Sequence, residues 1–177
     1  SLGDKQKIAK RTLSEYFVSG NFVVEESLYT INVDLYLTKN AKKVNSSKYQ
    51  GDDFFSLIDL ASKQIKIDME IPLPYIENTT DLPVNERLTS SMEALKHFVY
   101  SLHINENDKL MYHLKKAVEY DNKFALAHVF LYNNYNINNN EEKFKEHMSL
   151  TLKHLNKLNE GMRFAVRMDQ HTDKEKR

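Results

Sequence analysis

At 177 residues, with 41% hydrophobic and 28% charged side chains, the chain has the composition of one or two small soluble domains. Lys plus Arg and Asp plus Glu each number 25, so the bulk basic excess that marks nucleic-acid binders is missing. Cys is absent, which excludes disulfides and thiolate chemistry, and no run of about 18 apolar residues is present to span a bilayer.

Residues 3–15 predict a short helix with Ile8, Ala9 and Leu13 on one face. The β-branched and aromatic run from Tyr16 to Val24 predicts a strand, closed by a tight connection at Glu25-Glu26-Ser27. LYTINVDLYL at 28–37 alternates strictly. Tyr29, Ile31, Val33, Leu35 and Leu37 should meet a core, and Leu28, Thr30, Asn32, Asp34 and Tyr36 should lie largely in water. KVNSSKYQ at 43–50 predicts a polar edge strand, completing an antiparallel meander.

Asp52 or Asp53 is placed to cap the next helix. Its stripe is Phe54, Leu57, Ile58, Ala61, Ile65 and Met69. Residues 71–89 hold Pro72, Pro74 and Pro83 and predict a linker, with Ile71, Leu73, Tyr75 and Ile76 apolar enough to dock. Ser90 and Glu93 have capping-box spacing ahead of a helix over 92–103. Further helices are predicted over DKLMYHLKKAVEYD (Leu110, Leu114, Ala117 and Val118 inward), KFALAHVFLYNNYN and NEEKFKEHMSLTLKHLNKL. EGMRFAVRM begins another, and 169–177 reads as a solvated tail. The expected fold is α+β: residues 3–70 a small antiparallel meander packed on a helix, and 90–168 an array of helical hairpins.

Two stretches resemble known families. LKKAVEYDNKFALAHVFL is similar to a tetratricopeptide repeat junction, with Ala117 at the second-helix alanine and Asn122 where the closing proline stands. Thirty-four residues on, Thr151 takes the alanine place, Tyr135 matches the first-helix tyrosine, and Phe144 and Met148 fall on inward positions. The departures are Ala94, His97 and Phe98 for the first repeat's tryptophan, leucine and glycine, and Tyr132 for the second glycine. The first half, through Gly20, Leu28–Leu37, Tyr49-Gln50-Gly51-Asp52 and Phe54–Ala61, resembles the TolB N-terminal or FlgO-like module. That module precedes such repeats in bacterial adenylate cyclases, receptor kinases and winged-helix regulators. The resemblance implies a regulatory or sensory fragment of a longer protein, with or without a membrane anchor, in the cytoplasm or periplasm, with any cyclase or kinase domain outside this chain.

The catalytic motifs are missing: there is no Gly-x-Ser-x-Gly elbow, no Gly-rich phosphate loop and no His-x3-His pair. His147 and His154, seven apart, are spaced to share a helix face, which by itself points to a structural or surface role. Of the aromatic series Phe124, Phe130, Tyr132 and Tyr135, Phe124 and Tyr135 read as hairpin core. Tyr132, Asn133 and Asn136 are the groove candidates for a protein or peptide partner. Asn133 matches the asparagine of a carboxylate clamp, but Leu126 and Val129 stand where its cations belong, so no clamp is expected. The expectation is a non-catalytic interaction or sensory region with no cofactor, no metal and no nucleic-acid or membrane contact. Self-association through uncapped repeat ends is possible. The alternative is a small-molecule sensor with its pocket between the sheet and the first repeat.

Overall fold

The computed structural model describes residues 1–78 and 82–175. Residues 79–81 of the expected linker and 176–177 of the expected tail lie outside the described residues. The chain divides into two compact units, Ser1–Pro83 and Val84–Arg177.

The first unit is a meander. Helix α1 (Leu2–Arg11) leads into β1 (Tyr16–Glu25), β2 (Leu28–Leu37) and β3 (Lys43–Gly51), antiparallel in the order β1-β2-β3. Ten consecutive pairs join β1 to β2, from Tyr16 opposite Leu37 to Glu25 opposite Leu28. The pairing of β2 with β3 slips at Leu35/Tyr36. Helix α2 (Phe54–Asp68) packs across β2 and β3. Asp53 caps it, its carboxylate accepting from the backbone N–H of Phe55 and Ser56. Ile31, Leu35, Leu57 and Ala61 are buried on this side, as the alternation of β2 and the stripe of α2 predict.

Three details of this unit differ from the sequence reading. Tyr36, expected in water, is buried: it stacks on Phe17 at 5.1 Å, and Ala9 of α1 packs with both rings. The second face of the sheet is therefore covered where α1 crosses it. Conversely Ile8 and Leu13 are exposed and only Ala9 of that expected stripe is buried; α1 ends at Arg11, and Leu13 turns off with φ 55°. Phe55, outside the expected α2 stripe, is buried, while Phe54 is half-buried beside Phe22 and Tyr29. The proline segment contains two short helices, α3 (Leu73–Asn78) and α4 (Val84–Arg87). Proline at or just before a first turn loses no helical hydrogen bond. Leu73 and Tyr75, expected to dock, are exposed.

The second unit is a run of antiparallel hairpins: α5 (Met92–Ser101) on α6 (Asn107–Tyr120), and α7 (Ala125–Ile137) on α8 (Glu141–Lys153). A single 3-10 turn, Leu155–Lys157, leads to α9 (Glu160–Glu175). The cap of α5 is Ser91, not Ser90: its hydroxyl accepts from Ala94 N–H, so Glu93 sits in the first turn without closing a box. Asn140 caps α8, with Glu141 and Glu142 favourably placed at the positive end of its dipole. Two cores result. Ala94, Phe98, Met111, Leu114, Ala117, Phe124, Ala127 and Leu131 form one. Ala125, Tyr132, Phe144, Met148, Leu158 and Val166 form the other. The predicted solvated tail is largely helix: α9 continues past Met168, and Asp169 accepts a hydrogen bond from the Tyr132 hydroxyl at 2.9 Å. Amphipathic spacing carried by Met162 and Val166 holds α9 on the second core.

Candidate functional site

Helix α7 presents two faces with different chemistry. Ala125, His128, Leu131 and Tyr132 point inward and are buried. Asn133, Asn136 and Ile137, at three- and four-residue spacing, lie outward and exposed. On α5 and at its C-cap, Val99 and Leu102 are exposed. Phe98 meets Phe130 edge-on at 5.3 Å, so α5 and α7 are neighbours. The outer surface thus carries aliphatic side chains beside two amides, each amide with donors and an acceptor available for a peptide backbone.

Of the three groove residues inferred from sequence, Asn133 and Asn136 share this surface and Tyr132 does not. Tyr132 is 1% exposed, edge-on to Phe144 at 5.8 Å. Burial and the Asp169 carboxylate both raise its pKa, so the phenol stays protonated and donates to Asp169. Phe124 is core, as expected, and Tyr135 is half-buried with its ring parallel to that of His147 at 5.4 Å.

The histidines are arranged in a way their sequence spacing does not display. His97 of α5 meets His113 of α6 with Nδ1 to Nδ1 at 2.8 Å. His128 of α7 meets His147 of α8 at 2.9 Å. Each hairpin therefore carries one imidazole pair bridging its two helices. His113 and His147 are 34 residues apart, the one sequence signal that links the pairs. His154, expected to share a face with His147, sits at the end of α8 and is not in the pair.

The buried pair has assignable tautomers. The carbonyl of Asn122 can only accept, so His128 Nε2 donates to it at 3.0 Å. With His128 neutral, its Nδ1 is then the acceptor and His147 Nδ1–H the donor. Burial is the main cause that lowers the pKa of both; His128 adds a repulsive charge effect that takes His147 to about 4. Around the pair lie Glu146, Lys143 and Lys115 near His147, and His154, Asp121 and Glu146 near His128. In the half-exposed pair, His97 is also lowered, by burial first and then by His113. Among the described residues no group of three or more His, Asp or Glu converges as a metal site.

Two other polar features are local. Asp34 on β2 accepts from Ser46 Oγ at 2.5 Å, Lys43 Nζ at 2.9 Å and Tyr36 hydroxyl at 3.1 Å. These partners, Ser46 foremost, hold its carboxyl below the usual carboxylate range and satisfy it. An open cleft of about 280 Å³ is lined by Asp59, Ser62, Lys63 and Lys66 of α2, Ile76 and Glu77 of α3, and Leu82-Pro83. It falls below the size range of ordinary ligand pockets and lies within the first unit. Among the described residues no helix is long and apolar enough to cross a membrane.

Comparison with protein-family models, with curated proteins and with solved structures finds no match to this chain.

Proposed function

We propose that the helical unit docks a protein segment, and that the chain is a non-catalytic regulatory region built on degenerate tetratricopeptide-like repeats. The observation that carries this reading is a 34-residue periodicity of burial. Ala94 and His128, Phe98 and Tyr132, Leu114 and Met148, and Ala117 and Thr151 are each 34 apart, and all eight are buried. Helix pairs repeating at that period bury a shared core and leave the first helix of each pair with an outer row for a ligand chain. That row here is Val99 and Leu102 on the first hairpin and Asn133, Asn136 and Ile137 on the second. The amides hold an extended backbone, and the aliphatic groups take its apolar side chains.

The test is a pulldown with the intact chain and with an Asn133→Arg/Asn136→Arg/Ile137→Arg variant, identifying captured proteins by mass spectrometry. A partner enriched by the native chain and lost at least about ten-fold from the variant, a deficit of about 1.4 kcal/mol, supports the reading. All three side chains are exposed, so the variant should melt within a few degrees of the parent. A partner that the variant retains in full removes the docking row.

A further inference from the structure

We propose that β1 is a homodimerisation edge: two copies of the chain pair β1 to β1 antiparallel and join their meanders into one six-stranded sheet. Strand order leaves β1 and β3 as the two edges, and they are built differently. β3 has Lys43 and Lys48, polar residues through most of its length, and α2 packed across it. Those are the usual guards against edge pairing. β1 is ten residues long and reads YFVSGNFVVE, with no proline, no lysine and one charge, Glu25, at its end; α1 packs on its other face, where Ala9 meets Phe17 and Lys5 Nζ donates to Ser19 Oγ at 2.6 Å. Val18, Phe22, Val23 and Val24 on it are 47–60% exposed.

One face of that strand is also uncovered. Val18, Gly20, Phe22 and Val24 stand opposite Leu35, Val33, Ile31 and Tyr29, so they share the α2 side of the sheet. α2 lies over β2 and β3, and Phe54 in its first turn reaches Phe22. The apolar row of β1 is thus left beside the helix rather than beneath it.

A second copy fits this edge by its own symmetry. A two-fold axis perpendicular to the sheet through Asn21 places same-face residues opposite one another. Val18 then faces Val24 of the second copy, and Phe22 faces Gly20, where an aromatic ring lies over an edge glycine. Glu25 meets no like charge, and a formal net charge of zero removes long-range repulsion between copies. The strand itself is neutral and apolar over Phe17 to Val24, which matches a copy of itself better than a charged partner.

Sedimentation velocity on the full chain from low to high micromolar concentration tests the proposal. The native chain should reach twice its 20.8 kDa mass, and Val18→Lys/Val23→Lys should stay monomeric with an unchanged circular dichroism spectrum. The chain has no cysteine, so Asn21→Cys supplies a second readout independent of the lysine variant. Mild oxidation should link it to a covalent dimer in high yield. A native chain monomeric throughout the range, a folded lysine variant that still dimerises, or an Asn21→Cys chain that does not cross-link overturns the proposal.

Discussion

The His128–His147 contact is a buried, acid-sensitive hydrogen bond inside the helical unit. Neutral, the Asn122 carbonyl, His128 and His147 form a chain of donors and acceptors in which both His128 nitrogens are bonded. Charging both rings sets two N–H groups against each other at 2.9 Å in a site where His128 is 2% exposed. The sign of the pH effect follows. The folded pKa of His147, about 4, lies below the ordinary histidine value of about 6.5. The unfolded chain therefore binds the proton first, so the pair's stabilisation is complete above about pH 6.5 and lost as pH falls toward 4. Urea unfolding at pH 7.5 and pH 5 should differ by on the order of 2 kcal/mol, and His147→Phe should flatten that dependence. An unchanged slope in the variant would place the acid sensitivity elsewhere. Tyr132 gives a second measure at this scale: Tyr132→Phe keeps the ring against Phe144 and strands the Asp169 carboxylate. A loss of about 1–2 kcal/mol in the unfolding free energy is expected, with the same fold by circular dichroism.

Among the elements, β1 and α2 show how local sequence and packing share the outcome. Strict alternation identifies β2 to the residue, and the capping carboxylate and apolar stripe identify α2. Neither signal says that Tyr36 is covered by α1, since that depends on a helix folding back from twenty-five residues away. The misplaced cap at Ser90 has a similar cause. Two adjacent serines offer equal chemistry, and only the backbone, extended at Ser91 with φ −92° and ψ 115°, selects between them. Gly20 is a case where the reason lies wholly in the neighbour strand. A Cβ there would stand 2.5 Å from the Asn32 carbonyl oxygen, a backbone atom that cannot turn aside. Gly20→Ala should cost about 1–3 kcal/mol, read as a lowered Tm, although β1 is an edge strand where alanine is ordinarily harmless. A variant as stable as the parent would mean that the β1–β2 approach relaxes.

At the scale of the molecule, the proposed docking row and the proposed dimer edge lie on separate surfaces. The first is the row of exposed amides and aliphatic groups on α5 and α7, and the second is the β1 edge of the meander. Because the residues concerned lie in different compact units, the arginine variant of the first and the lysine variant of the second should act independently. Partner capture should survive Val18→Lys/Val23→Lys, and the dimer should survive the three arginines. Of the candidate groove residues, the outward placement of Asn133 and Asn136 follows from polar residues at helical spacing opposite an apolar stripe. Tyr132 is not placed in this way, because an aromatic residue with a hydroxyl suits a surface or a core equally. Its ring packs in the second core beside Phe144 and Val166, and Asp169, thirty-seven residues on, accepts from its hydroxyl. The histidine pairs were equally hidden, since bonding partners sixteen and nineteen residues apart leave no mark on local spacing.

Local chemistry alone determined the α+β order, the three strands of the meander, and the existence of α2 and of the hairpin helices α5 to α8; it did not show α3, α4 or the length of α9. Periodicity and caps act over one or two turns and are written in neighbouring residues. The covering of Tyr36, the burial of Tyr132, the pairing of the imidazoles and the bare row on β1 belong to the tertiary structure. Each depends on which distant element arrives, and the free energy of a polar or aromatic side chain changes sign with the partner it meets there.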